Sequence, residues 1–494
     1  MLSEKLKKIF ISGLIMGFGL TAAFAQTPPE EKIIPDSIKK AVRETNYNEI
    51  RIKPFPIAMQ SWTYRRYTFF EALDRTKALG LSYIQAYPGQ RISKKLPASV
   101  VFDHQLGDEP IEMIKEKLRA VGVKVVAYGV VDTGRTENQM RQVFDFARKM
   151  GIRTIVTEPQ DEDYPLLEKL VKEYDIQIAI HNHPEPAKYA YPLTALKHLK
   201  NVDSRIGVCA DTGHWMRCGL DPVECLRLLE GKIIDVHIKD RSNFGTKGAE
   251  DVAFGSGKAR IKDILAELTR QDYDGYLTIE YENEKNVLTP EADLKKGQAY
   301  IKSVTYYDGY EQLLKKENGW YEKHGWNHYG PGYFELDNKT GILKSQGGMG
   351  LLWYSRKKFK DFILEVDYKC SDPETNSGIF LRVPDVPASD DYIYHSFEIQ
   401  IYDAGQGIHQ TGAVYDAQAP SAAAFKPAGH WNHMKISFIG EQIKVELNGK
   451  EVINWRAEPR GKVTNFAREG YIGLQNHDSR SPVYFKNIYV KEIN

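Results

Sequence analysis

Cysteine is scarce: Cys209, Cys218, Cys225 and Cys370 are the only four in a chain of 494 residues. A disulfide framework is therefore not what holds a protein of this size together. Cys209 in an apolar strand and Cys225 in a helical stretch read as small buried thiols, and a Cys218–Cys225 link stays open. Net charge is nearly absent too, at +1, which removes any electrostatic reason to expect nucleic acid or an anionic membrane surface as partner. No low-complexity tract interrupts a composition that is 42% hydrophobic and 27% charged, as in soluble globular proteins. No Gly-x-Gly-x-x-Gly follows the first strand, which weakens a doubly wound fold. Gly255-Ser256-Gly257-Lys258 is not a phosphate loop either, because Val252 stands where that motif needs its first glycine and Ala259 follows the lysine.

What is present begins at the N-terminus. Lys5, Lys7 and Lys8 precede an apolar run over 9–24 that ends in Ala23-Phe24-Ala25 before Gln26. This is the pattern of a secretory signal over residues 1–25. The run is short for a spanning helix, and Gly13, Gly17 and Gly19 interrupt it. The expectation is a protein exported to the periplasm or medium and cleaved after Ala25, without a stable membrane anchor. No cysteine follows the site to carry a lipid.

The length implies two domains. After a polar leader over 26–53, strand-like and helix-like segments alternate. Ile57-Ala58-Met59-Gln60 is followed by helical spacing over 69–79, and Tyr83-Ile84-Gln85-Ala86-Tyr87 by helical spacing over 111–121. Eight such units over 54–304 have the size and rhythm of a (β/α)8 TIM barrel. The period then changes. Residues 362–369 alternate apolar and polar, as a half-buried antiparallel strand should. Similar runs recur at 377–383, 397–402, 433–438, 443–447, 471–475 and 483–490, with Asn448-Gly449 as a hairpin turn. The fold class is thus α/β plus all-β: a TIM barrel, a packed linker over 305–330, and a C-terminal jelly-roll-like β-sandwich over 331–494.

Five consecutive barrel strands end in groups that bind metals or move protons. They close on Glu158, on His181-Asn182-His183, on Asp211-Thr212-Gly213-His214, on His237-Ile238-Lys239-Asp240 and on Glu280. Parallel strands deliver these ends to one face, where residues distant in sequence meet. Asp and Glu number 66 and His 13, so a strand end with three eligible positions carries one by chance with probability roughly 0.4, and five in a row with roughly 0.01. Each member alone has a plain structural reading, such as Asp211 capping a helix, and Glu282 reads as solvated. Together they form a mixed carboxylate–imidazole set suited to Mn²⁺, Zn²⁺, Co²⁺ or Mg²⁺, able to stabilise charge when a proton beside a carbonyl is removed.

On these residues, the segment from about 54 to 303 resembles the xylose-isomerase-like barrel superfamily of sugar isomerases, epimerases and endonuclease-IV-type enzymes. The resemblance implies metal binding by His181, Asp211, His237 and Glu280, with Glu280 also a possible base. It implies substrate contacts by Asn182, His214 and Lys239. Strand five departs from the family, which has Glu-Asn-His where this chain has His181-Asn182-His183. Glu158 then becomes the candidate to replace the missing carboxylate, and Glu158 or His183 the candidate proton carrier. Strands two and three end without the histidines a three-metal nuclease needs, which excludes that activity.

The second half, over about 316–494, resembles the 3-keto-disaccharide hydrolase family. The matching stretches include Asn376-Ser377-Gly378-Ile379-Phe380-Leu381-Arg382, Glu398-Ile399-Gln400-Ile401-Tyr402-Asp403 and Gly473-Leu474-Gln475-Asn476-His477. Glu398, Gln400 and Tyr402 alternate onto one strand face. With Asn376, Arg382, Gln475 and His477 they are expected to line a sugar cleft, with Glu398 and Asp403 as candidate catalytic carboxylates. The expected partner is a small carbohydrate. The expected activity is metal-dependent proton abstraction beside a sugar carbonyl that cleaves 3-keto-glycosides. The alternative is a sugar isomerase or epimerase carrying a glycan-binding module.

Overall fold

In the computed structural model, residues 33–317, 320–477 and 479–493 are described. The segment read as a secretory signal lies outside them. Eight parallel strands close a barrel: β1 (Ile57–Gln60), β2 (Tyr83–Ala86), β3 (Lys124–Tyr128), β4 (Thr154–Thr157), β5 (Gln177–His181), β6 (Ile206–Asp211), β7 (Ile233–Ile238) and β8 (Leu277–Ile279), with β8 pairing back to β1. Local chemistry sets the helix ends. Thr68 and Glu71 form a capping box on Phe69–Ala78, and Thr136 and Gln139 form one on Glu137–Met150. Gly122 and Gly151 end their helices in the left-handed conformation that a side chain would resist.

The period of two along each strand sorts the barrel interior into layers. Ala127, Val156, Ala179 and Cys209 pack together as a small-residue layer. Two residues further along, Glu158, His181 and Asp211 occupy the next inward positions, joined from β7 and β8 by His237 and Glu280. The site thus sits on a packed floor at the C-terminal ends of the strands.

The second half is two antiparallel sheets, one of eight strands and one of five. Their inner faces share one core that includes Leu364, Val366, Ile399, Ile401, Ile436 and Leu474. The stretch 305–330, read as a linker, is itself woven into these sheets. Glu311–Gln312 pairs with Val483–Glu492, and Trp326–Tyr329 forms an edge of the five-stranded sheet. All four cysteines are buried and free, so the Cys218–Cys225 link is not made. Among the described residues no helix is long and apolar enough to cross a membrane.

The outer face of the eight-stranded sheet docks on the N-terminal end of the barrel. Tyr307 stacks on Tyr489 with ring centroids 3.9 Å apart. Arg51 Nη2 donates to Asp367 Oδ1 at 2.7 Å, and Tyr321 Oη donates to Asp272 Oδ1 at 2.9 Å. The barrel mouth and the outer face of the five-stranded sheet consequently point away from each other.

Candidate active site

Asp211 does two jobs with its two oxygens. Its Oδ1 accepts the backbone N–H of His214 at 2.8 Å, capping the helix Thr212–Arg217. Its Oδ2 is buried without a hydrogen bond and lies 3.7 Å from His181 Nε2 and 3.8 Å from His237 Nδ1. Register makes this possible, since Asp211 and His237 are direct partners on β6 and β7. Glu280, one residue past β8, brings Oε2 to 3.0 Å from His237 Nδ1.

Hydrogen bonds from below settle which way His237 is protonated. Gln85 Nε2 donates to Asp235 Oδ2 at 2.6 Å and to Thr278 Oγ1 at 2.7 Å. Its Oε1 is therefore an acceptor for His237 Nε2, 2.8 Å away. With a proton on Nε2, Nδ1 is the ring nitrogen left to face Glu280 and Asp211. Asp211 Oδ2, His237 Nδ1 and Glu280 Oε2 are all buried without a well-formed hydrogen bond, although Lys239 Nζ ion-pairs with the two carboxylate oxygens. Converging lone pairs of this kind fit a divalent cation, and His181 Nε2 completes the donor set.

Glu158 sits behind His181, outside the Asp211–His237–Glu280 cluster. Its Oε1 lies 3.5 Å from His181 Nδ1, on the side of the ring away from Asp211. It orients His181 and also meets His183 Nδ1 at 2.6 Å and the His183 backbone N–H at 3.2 Å. Burial opposes ionisation of Glu158, but hydrogen bonds from His181 and His183 outweigh it and hold the carboxyl at about 2. The His183 ring is half exposed at the mouth.

Lys239 is fully buried, with Nζ 3.0 Å from Asp211 Oδ2, 3.1 Å from Glu280 Oε2 and 2.8 Å from Glu282 Oε2. Burial works against its charge, yet Asp211, Glu280 and Glu282 outweigh it and hold the ammonium well above the ordinary lysine value. Gly213 makes room for it: a Cβ there would sit 2.7 Å from the Lys239 side chain. Glu282 is not solvated as expected. It also accepts from Arg217 Nη2 at 2.7 Å and Trp62 Nε1 at 3.1 Å, which ties the mouth to the site.

Asn182 is a second correction. Its Nδ2 donates to Asp211 O at 3.0 Å and its Oδ1 accepts from Asp211 N at 2.7 Å. Both ends of the amide hold the backbone of a ligand, which leaves Asn182 a positioning residue rather than a substrate contact. His214 is buried beside Asp211, and burial lowers its pKa well below the usual histidine value. Asp240 accepts the backbone N–H groups of Gly255, Gly257 and Ala259 at 2.9, 2.9 and 3.0 Å, so a carboxylate fills the nest that a phosphate loop would offer. Sequence reasoning missed Gln85, Asp235 and Trp62. The inward parity of Gln85, Asp235 and Thr278 on their strands was the signal that could have found the first two.

In the sandwich, register gathers part of the expected cleft. Gln400 pairs with Gly378 and Glu398 with Phe380, while Gln475 pairs with Leu351. Glu398, Gln400 and Gln475 therefore share the outer face of the five-stranded sheet, with Asn376 in the next row opposite Tyr402. Glu398 is 6% exposed, and burial raises its pKa to about 8. With the Gln400 amide assigned so that its nitrogen meets acceptors, it donates to Ser377 O at 2.9 Å and to Glu398 Oε1 at 3.2 Å. Gly378 leaves the space that Glu398 Oε1 fills, because a Cβ would come within 2.0 Å. Gln475 Oε1, Trp353 Nε1 and Tyr392 Oη are buried on this face without hydrogen-bond partners. His477 follows at an exposed position.

Two expected members are elsewhere. A bulge between Phe380 and Val383 breaks the alternation and puts Arg382 at φ 55°. Its guanidinium lies 3.4 Å from the Phe438 ring centroid and donates to the carbonyls of Lys360 and Gly440. Asp403 comes one residue after Tyr402, so the same alternation turns it off the cleft. Its Oδ1 accepts from Thr411 Oγ1 at 2.7 Å, with Cys370 and Tyr368 nearby.

Comparison with known proteins follows the same division. Residues 73–304 match the family described as xylose isomerase-like TIM barrel, and residues 312–491 match the 3-keto-alpha-glucoside-1,2-lyase-like domain. An uncharacterised protein of Methanocaldococcus jannaschii is 27% identical over 171 residues, which is 33% of this chain and 54% of that protein, little more than half its length. The inosose dehydratase of Histophilus somni is 24% identical over 212 residues, covering 38% of this chain and 68% of that enzyme. A solved structure of an uncharacterised protein from Parabacteroides distasonis is 30% identical with a TM-score of 0.42, covering 50% of this chain and 98% of that one. The chain thus joins a xylose isomerase-like TIM barrel to a 3-keto-alpha-glucoside-1,2-lyase-like domain.

Proposed function

We propose that this chain is an exported, metal-dependent carbohydrate-active enzyme that removes a proton beside a sugar ketone and so cleaves 3-keto-glycosides by β-elimination. The observation that carries this reading is the meeting, on one packed floor, of the converging Asp211, His237 and Glu280 donor atoms with the Glu158–His183 pair. His181, Asp211, His237 and Glu280 would hold the ion, with Mn²⁺, Zn²⁺, Co²⁺ and Mg²⁺ as candidates. When bound, it polarises a ketone oxygen and so acidifies the adjacent C–H.

The chain's own groups do the rest. His183 takes the C2 proton, and Glu158 holds the resulting imidazolium through Nδ1. The C2–H electron pair forms the C1–C2 double bond, the C1–O bond breaks, and the leaving oxygen takes a proton from solvent. The product is a 1,2-unsaturated 3-keto sugar, to which addition of water completes hydrolysis. Lys239 supplies a fixed positive charge beside the carboxylates without changing its protonation. A dehydratase among the relatives supports the reading, since dehydration is also an elimination. The Glu398 face offers a second sugar-recognising surface, and the signal-like segment over 1–25 supports export.

The test incubates the full chain with a 3-keto-glucoside and with its unoxidised parent. Aglycone release from the keto form alone is expected, and Glu280→Gln should abolish it. Undiminished activity in that variant sinks the assignment, and sugar interconversion without bond cleavage replaces it with an isomerase.

A further inference from the structure

A cleft of about 450 Å³ lies where the outer face of the eight-stranded sheet meets the N-terminal end of the barrel. It belongs to neither site above. Its charge is one-sided. Arg51, Lys53, Arg270, Lys426, His433 and Lys486 line it, against Glu49, Asp272 and Asp367.

The acids are already spent. Asp367 accepts from Arg51, from His433 Nδ1 at 2.8 Å and from Asn487 Nδ2 at 2.8 Å. Asp272 is shared by Lys53, Lys316 and Tyr321. Glu49 is exposed at the rim and its carboxylate accepts from Asn46. His433 is held between two carboxylates, with Nε2 3.0 Å from Glu365 Oε2, so both ring nitrogens donate and the ring carries a proton. Its pKa is raised accordingly, with burial opposed by Asp367 and Glu365.

Two lysines are left over. Among the described residues neither Lys426 nor Lys486 has a carboxylate within ion-pairing distance. Lys486 is half buried, 4.3 Å from the Trp431 ring centroid, and the same ring has Lys369 at 5.2 Å. Burial lowers its pKa, with Asp367 and Asp272 opposing the shift and the Lys369 and Arg51 charges adding to it. A half-buried ammonium with no carboxylate in ion-pairing distance gains from an anion that joins it.

We propose that this interdomain cleft is a binding site for a small molecule carrying an anionic group, a carboxylate or a phosphate, held by Lys426 and Lys486. The anion supplies the partner that the fold leaves out, and the sheet and barrel together form the walls. Such a site lies on the opposite end of the barrel from the catalytic mouth, so its ligand does not compete with substrate there.

Isothermal titration calorimetry on the full chain tests this with D-glucuronate, D-glucose 6-phosphate and neutral D-glucose. Either acid should bind and D-glucose should not, and the stronger of the two names the anionic group. Lys426→Ala with Lys486→Met should weaken acid binding about tenfold or more. Its melting temperature and its turnover of a 3-keto-glucoside should match the parent. Because Lys426 is exposed, Lys426→Ala alone provides a variant that keeps its fold and should show part of the loss. Absence of binding by both acids overturns the proposal, as does equal binding of D-glucose or acid binding unchanged in the double variant.

Discussion

His237 Nδ1 stands 3.0 Å from Glu280 Oε2, and neither atom has a hydrogen-bond partner although both are buried. Gln85 dictates the arrangement across two intervening strands by accepting a hydrogen bond from Nε2. A residue with no access to substrate thus fixes which ring nitrogen of His237 faces the pocket. Gln85→Leu should lower affinity for a divalent ion by about 10–100-fold, read by chelator competition. Metal affinity equal to the parent would refute the proton assignment on His237.

Loss of the proton carrier should be separable from loss of the ion. His183→Ala should reduce kcat by about 10²–10⁴ while bound metal, measured by elemental analysis, stays at the parental level. A variant that loses metal and activity together would make His183 a ligand instead.

Trp62 reaches the site through its bond to Glu282 and remains 38% exposed at the mouth, edge-on to Tyr87. Trp62→Phe keeps the ring and removes the bond, whereas Trp62→Ala removes both. Alanine should raise KM for a keto-glucoside about tenfold, with phenylalanine between it and the parent. Unchanged KM in both variants would place the substrate elsewhere.

Arg382 and Gln475 were expected to share one cleft and should behave differently. Arg382→Met leaves the carbonyls of Lys360 and Gly440 unpaired and should cost about 2–4 kcal/mol in urea unfolding, without changing sugar affinity. Gln475→Leu should leave stability nearly unchanged and weaken binding of sugar to the full chain. The opposite pattern would restore Arg382 to the cleft.

Glu398 carries a pH dependence whose sign can be worked out. Its folded pKa is raised from 4.5 to about 8 by burial. The folded state therefore holds the proton longer than the unfolded state, and the stability this contributes is full below pH 4.5 and lost as pH rises through 8. The unfolding free energy should fall between pH 5 and pH 9 by on the order of 4 kcal/mol at most, and the melting temperature with it. Glu398→Gln should flatten this profile, and an identical profile in the variant would show Glu398 ionised in the folded protein.

Much of the architecture was legible in the chain because periodicity is a local property. Helical spacing, glycine stops and strand alternation each follow from backbone geometry within a few residues. The strand ends were legible for the same reason, since parallel strands must deliver Glu158, His181, Asp211, His237 and Glu280 to one face. Roles were less so. Asn182 looks like a substrate ligand until both ends of its amide are found on the Asp211 backbone. Glu282 looks solvated until Lys239, Arg217 and Trp62 are seen to converge on it. Arg382 keeps the parity of the cleft in sequence and loses it to a bulge.

By itself the sequence determined the two halves, the sheet types and which side chains end the barrel strands. Those follow from hydrophobic period and chain direction, which act over short distances. Only the tertiary structure decided that Glu158 meets His181 and His183, that Gln85 accepts from His237 Nε2, and that the two candidate sites open away from each other. Each depends on the distance between atoms on different strands or domains. Closure of the barrel, bulges and docking set those distances to fractions of an ångström, and no local pattern encodes them.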